Sequence, residues 1–392
     1  MKRKAITAVL AMAMAATMVA PAFADDVIKI GVFEPLTGEN GGGGVQEAQG
    51  ITYANELRPT VTVDGVEYTV ELDSVDNKSD KTEAVTAAQK LVADGVVGVL
   101  GSYGSGVSIA AGPTFTEAQI PAIGISCTNP QVTATTDYYF RTCFLDPFQG
   151  SVMAQYAFDA GLTKVAVIDQ LGDDYSTGLA NYFKKQFEAL GGTIVDDEQF
   201  QTNQSDFKAI LTNVKNAEAE AIFAPSSIAT APLIIKQARE LGIDALFMAG
   251  DTWYNTTIID NAGAENCEGM VVSTFFDEAD ETPVVADFVK GYKEWMNADD
   301  DRISKNGGND SVVGNTVLAF DAYNVLCDAI EAAGSLEGPA VRDALAAVSS
   351  EGVTGTITFN EIGDANRDTA YIDTVEGGAF KFLKTQSVED AE

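Results

Sequence analysis

Short apolar runs alternate with helical stretches along almost the whole chain, and this alternation most constrains the fold. Val27-Ile28-Lys29-Ile30-Gly31-Val32-Phe33 reads as a buried strand. Pro35, Gly38 and the run Gly41 to Gly44 read as a loop that opens a helix over 45–57. A hairpin follows, with Asp64-Gly65 as the turn between Thr60–Val63 and Tyr68–Leu72. Helix then strand recurs at 79–93 and Val96–Leu100, 106–118 and Pro121–Ile125, 149–160 and Lys164–Asp169, and 175–190 and Thr193–Val195. The beat runs on through 206–216 and Ala221–Phe223, 230–241 and Leu246–Met248, and a strand at Gly269–Ser273. Helices at 283–296, 311–333 and 338–348 precede a last β-rich stretch, Gly355–Phe359 and Ala370–Val375. Strands spaced by helices imply an α/β fold with parallel sheets covered on both faces. The length of 392 residues exceeds one core, and no Pro/Ser linker divides the chain. Two lobes joined by short crossings, free to hinge, are therefore expected.

The N-terminus predicts export. Met1-Lys2-Arg3-Lys4 is basic, an Ala- and Met-rich apolar stretch follows to Val19, and Pro21-Ala22-Phe23-Ala24 ends in an A-x-A pattern. This is the layout of a secretory signal peptide over 1–24, with the mature chain starting at Asp25 and acting in the periplasm or outside the cell. No cysteine stands at the cleavage point to carry a lipid, so a soluble protein is expected. Against 24 Lys and Arg stand 58 Asp and Glu, a net charge of −34 that loss of the leader makes more negative. Nucleic acid and anionic lipid would be repelled. Cys127 and Cys143 are close enough to pair in an oxidising space, but four buried free thiols, with Cys267 and Cys327, are an equal reading.

Covalent chemistry is poorly served. The chain has no histidine, which removes the usual general base, every Ser-His-Asp or Cys-His arrangement and the commonest zinc ligand. Gly101-Ser102-Tyr103-Gly104-Ser105-Gly106 lacks both the G-x-S-x-G order and the lysine of a phosphate loop. The four-glycine run has no lysine after it, and Glu47 would oppose a phosphate. Asp299-Asp300-Asp301 lacks the glycine and distal Glu of a calcium loop and reads as a solvated turn. No enzyme, catalytic residue, metal or cofactor is expected.

Taken together, several segments resemble the type I periplasmic substrate-binding proteins of branched-chain amino acid ABC importers, the leucine/isoleucine/valine-binding protein family. They are Ile28–Val32 through Pro35-Leu36-Thr37-Gly38, Gln49-Gly50, Gly95–Gly101, Ser126-Cys127-Thr128-Asn129-Pro130, Phe140-Arg141 with Asp146 and Gln149-Gly150, and Thr354–Phe359. The resemblance implies two Rossmann-like lobes, 25–147 plus 275–354 and 148–274 plus 355–392, with crossings near 147–149, 274–276 and 354–356. It also implies a small-molecule ligand in the cleft and an ABC permease in the membrane as partner; nothing in the sequence demands an oligomer, and a monomer is expected.

Open parallel sheets bind ligands beyond the carboxyl ends of their strands, which nominates the loops there. Ser105, at a helix start, matches a serine that receives the ligand carboxylate in the family, with a simple cap as the alternative. Ser126 and Thr128 match positions sharing that carboxylate, and Thr128-Asn129-Pro130 is equally a turn. Tyr175 matches a cleft tyrosine, and Asp251 the acid that pairs with the ligand ammonium; a core ring and an exposed loop acid are the alternatives. Near Gly43 the family has an aromatic and at Ser227 a second tyrosine, so the side-chain pocket is expected to be remodelled. Trp253 could supply an aromatic wall or pack structurally. These departures keep open a ligand such as an amide, urea or an aromatic acid, and a ligand-sensing module instead of an importer component.

Overall fold

The computed structural model describes residues 26–387. The leader expected over 1–24 lies outside them. Among the described residues no helix is long and apolar enough to cross a membrane.

Two sheets organise the chain. The first contains β1 (Val27–Glu34), β2 (Thr60–Val63), β3 (Val66–Asp76), β4 (Gly98–Leu100), β5 (Ala122–Gly124) and β6 (Tyr139–Arg141), in the order β2-β3-β1-β4-β5-β6. All neighbours in it run parallel except the β2–β3 hairpin. Asp64 and Gly65 have φ of 48° and 81°, the left-handed pair that a two-residue hairpin turn needs. The second sheet is built on β7 (Lys164–Gln170), β8 (Thr193–Phe200), β9 (Ala221–Phe223), β10 (Leu246–Ala249) and β11 (Val271–Thr274), all parallel. A separate hairpin joins β12 (Ser349–Gly352) to β13 (Gly355–Thr358). Antiparallel β14 (Ala370–Glu376) and β15 (Ala379–Gln386) then complete the second sheet, in the order β15-β14-β11-β10-β9-β7-β8. The short central strands β4, β5 and β9 are buried at every residue, as strands covered on both faces must be.

Helices cover those faces. The helix Lys81–Asp94 starts where the Asp80 carboxylate accepts the N–H groups of Thr82 and Glu83, and stops at left-handed Gly95. Gly314–Ala333 lies so close to β4 that a Cβ on Gly98 would stand 2.9 Å from Leu326. This helix returns the chain to the first sheet after β11, and the chain rejoins the second sheet at Ala370.

The glycine run departs from expectation. It forms the first turn of the helix Gly41–Leu57, not a loop ahead of it. A Cβ on Gly44 would lie 2.3 Å from the Pro35 carbonyl oxygen, and one on Gly43 2.4 Å from the Tyr103 ring. Close approach, not flexibility, explains glycine at both.

All four cysteines are free and buried. Cys127 and Cys143 flank Arg141, and burial pushes both thiols up, Cys127 to about 11. Asp299 caps the short helix Asp300–Lys305 by accepting from Asp301 N–H, and Asp301 pairs with Lys305 at 2.7 Å. The acidic triplet is thus a helix start.

Candidate ligand cleft

The ends of β4, β5, β7, β9 and β10 deliver their loops to the space between the two sheets. Here the two sides meet directly. Lys81 pairs with Asp174 at 2.7 Å, and Asn129 donates to the Asp174 carbonyl at 2.7 Å. Gln170 donates to the Glu39 carboxylate at 3.0 Å, Ile228 N–H to Asn40 Oδ1 at 3.2 Å, and Asn255 to Gln46 at 3.2 Å.

Inside this seam Ser105, Ser126, Tyr175 and Ser227 line one small cavity with Asn40, Tyr103, Asp173 and Thr252. Its volume is about 20 Å³, the size of a water site, so anything larger enters only when the two sides part. A larger cavity of about 480 Å³ lies at the crossings, between Phe144, Phe275, Val353 and Arg367, and none of the nominated residues lines it.

Ser105 is the first residue of the helix Ser105–Ala118. Its Oγ accepts the Asn129 N–H at 3.2 Å, so its own proton can be given elsewhere. Gly104, before it, has no side chain to cap that helix, and the free N–H groups of the first turn face the same region. Ser126 follows β5, and its hydroxyl donates to Glu47. Thr128 is fully buried with an unpartnered hydroxyl, and its carbonyl accepts the Asp146 N–H at 2.9 Å. The loop carrying both is held from behind by Arg141, which is fully buried. Its Nε meets Asp364 at 2.5 Å, and Nη1 and Nη2 donate to the carbonyls of Cys127 and Asn129 and to the Thr133 hydroxyl.

From the other side, the Tyr175 hydroxyl donates to Asp251 Oδ1 at 3.0 Å, and Gln149 Nε2 donates to the same oxygen at 2.8 Å. Burial pushes the Asp251 carboxyl up to about 6, against the pull of these two donors. Among the described residues no Lys or Arg pairs with it. Asp146 lies nearby with both carboxylate oxygens buried and unpartnered, and burial together with Asp251 raises its pKa strongly. Thr128, Asp146 and Asp251 do not line the small cavity but lie buried behind it, and a carboxylate buried there is costly without a cation.

Two nominated residues are occupied otherwise. Ser227 donates to the Thr230 hydroxyl at 2.8 Å. Trp253 is fully buried in the core of the second sheet, beside Phe247, with its indole N–H on Ser226 at 3.2 Å. Besides Tyr175, the cavity has a second aromatic, Tyr103, whose ring takes the space next to Gly43. Sequence reasoning missed it, although an aromatic between glycines in a loop after a parallel strand was a usable signal.

Residues 27–379 match the family model described as periplasmic binding protein. The chain belongs to this family. A Leu/Ile/Val-binding protein homologue from Brucella suis is 30% identical over 366 residues, covering 92% of this chain and 93% of that protein. The crystal structure of a leucine-binding protein from Thermotoga maritima superimposes with a TM-score of 0.83 at 33% identity, covering 92% of this chain and 99% of that one. A branched-chain amino acid transporter substrate-binding protein from Streptococcus pneumoniae, in complex with isoleucine, gives 0.81 at 28% identity, with 93% and 99% covered. This periplasmic binding protein is accordingly of type I, a solute-binding component of an ABC transporter and not an enzyme, in a family whose members are exported.

Proposed function

We propose that the protein captures an α-amino acid, branched-chain or similar, between its two lobes outside the cytoplasmic membrane and delivers it to an ABC permease. Ser105, Ser126 and Thr128 of the first lobe would take the ligand carboxylate, Asp251 and Tyr175 of the second its ammonium. The observation that carries this reading is Asp251: a buried carboxylate, held in place by Tyr175 and Gln149, with no Lys or Arg paired with it among the described residues. Burying such a charge is costly until a cation arrives, so binding an ammonium and closing the lobes support each other. Ser227 and Thr252 would face the side chain, and Trp253 would stiffen the loop from behind. The protein would act as a monomer, released from its leader after Ala24, with the three crossings as its hinge.

The test is a thermal-shift series on mature protein, unfolded and refolded to strip bound ligand, against the common amino acids, simple amides and aromatic acids. A ligand at about a hundred times its Kd adds roughly 2.7 kcal/mol of stability. Stabilisation by an α-amino acid that vanishes in Asp251→Ala is the expected result. A response only to amides or aromatic acids would overturn the Asp251 assignment.

A further inference from the structure

Two buried glutamates lie directly behind the carboxylate side of the cleft. Glu34 ends β1, Glu47 sits in the second turn of Gly41–Leu57, and both are fully buried. Glu34 Oε2 accepts the Tyr103 N–H at 2.8 Å, and Glu47 Oε1 accepts the Ser126 hydroxyl. The remaining oxygens, Glu34 Oε1 and Glu47 Oε2, have no hydrogen-bond partner among the described residues, and the two carboxyl groups lie close enough to act on each other. Gly101 packs against this site: a Cβ there would stand 2.2 Å from the Phe33 carbonyl oxygen and 2.5 Å from Glu34 Oε1.

Two ionised carboxylates cannot share such a site, so the pair must hold a proton. The groups facing it do not relieve this. They are Tyr103 from the loop after β4, Cys127 from the loop after β5, Tyr139 from β6 and Asp251 from the opposite lobe, each neutral or acidic. The one guanidinium near Cys127, Arg141, is spent on Asp364, Thr133 and two backbone carbonyls. Burial, reinforced by the neighbouring Glu47, raises the Glu34 carboxyl well above its ordinary range, so the pair's proton rests first on Glu34. Burial pushes Glu47 up to about 8, with Glu34 and Ser126 pulling the other way.

We propose that Glu47 is a positioning residue that passes a proton's influence into the cleft through Ser126, so that a ligand carboxylate binds to the form in which Glu47 is neutral. This rests on the reading that Ser126 faces that carboxylate. With Glu47 ionised, the Ser126 proton points back to it, and only oxygen lone pairs face the ligand. With Glu47 neutral, its O–H donates to Ser126 Oγ, and Ser126 turns its own proton to the ligand carboxylate. Above the titration of Glu47, each ligand bound takes one proton from solvent onto Glu47. Only hydrogen bonds are exchanged otherwise.

The experiment is calorimetry of the best carboxylate ligand from the thermal-shift series, between pH 6.5 and 9.5, in buffers of different ionisation enthalpy. Wild type should take up close to one proton per ligand at pH 9 and lose affinity about tenfold per pH unit above 8. Glu47→Gln, a permanent donor to Ser126, should bind without that slope or uptake. Glu34→Gln, which keeps a neutral group of the same shape beside Glu47, should retain both, so loss of the slope in Glu47→Gln alone separates proton linkage from damaged packing. Titration of the ligand's own ammonium is common to all three proteins and cancels in the comparison. If Glu47→Gln does not fold, Ser126→Ala replaces it and should likewise lose the slope. A wild-type affinity flat to pH 9 without proton uptake, or equal slopes in wild type and Glu47→Gln, overturns the proposal and leaves the proposed function standing. If no carboxylate ligand binds at any pH, both fall.

Discussion

The ring of Tyr103 fills the place a side chain at residue 43 would need, with its Cε2 2.4 Å from where a Cβ on Gly43 would stand. A helix start and a loop of one lobe, 60 positions apart, thus pack against each other, and Tyr103 carries that contact to the cavity. Gly43→Ala should therefore lower stability by about 1–3 kcal/mol through overpacking. Tyr103→Ala should broaden the accepted ligands toward larger side chains. Denaturant unfolding and the thermal-shift panel read the two effects separately.

Affinity for an ammonium-bearing ligand should fall as pH drops below about 6. Asp251 has its carboxyl raised to about 6 by burial, and a cation binds only its ionised form. Below that value ligand must displace a proton, which costs about tenfold in Kd per pH unit. Titration calorimetry at pH 4.5 to 7 measures it, and Asp251→Asn should bind weakly with no such slope.

Ligand-free protein should lose stability between about pH 5 and 9. Burial raises the carboxyl of Glu47 to about 8 in the folded state, and Glu34 and Asp146 are shifted the same way. A raised carboxyl pKa means that the folded state holds protons the unfolded state has released. That stabilisation is complete below the ordinary glutamate range and gone once pH passes the folded value. Tm of wild type should decline across this window and that of Glu47→Gln should decline less.

Breaking the Arg141–Asp364 pair should cost about 3–5 kcal/mol, because it strands a buried guanidinium. Arg141 also holds the carbonyls of Cys127 and Asn129, so Asp364→Ala should weaken ligand binding without touching the cavity. Chemical denaturation together with Kd of the surviving folded fraction tests both halves.

Lys81 and Asp174 join the two lobes at the rim, half exposed. An exposed pair contributes about 0.5 kcal/mol, but this one exists only when the lobes meet. Asp174→Asn should thus raise the apparent Kd about two- to threefold, and the difference should vanish in high salt. Global stability should hardly change.

Much of the architecture was legible because local signals and tertiary demands coincide. The apolar runs at β1, β4, β7 and β9 are buried on both faces, and Asp64-Gly65 can hardly be anything but a tight turn. The glycine run misled because propensity marks glycine as loop, whereas Pro35 and Tyr103 pressing on the helix start require it. Cleft residues were legible only as candidates. Ser105, Ser126, Tyr175 and Ser227 meet at one cavity, but Trp253 turns into the core, where its large ring is buried and its N–H satisfied.

By itself the sequence determined the α/β alternation and the absence of histidine chemistry, and it nominated the loops that carry the cleft, since each follows from residue type and period along the chain. Which side chains share a space is a matter of distances between loops far apart in sequence, set by how the two sheets pack and cross. Only the tertiary structure could therefore put Tyr103 against Gly43, Arg141 on Asp364 across 223 positions, and Glu47 between Glu34 and Ser126.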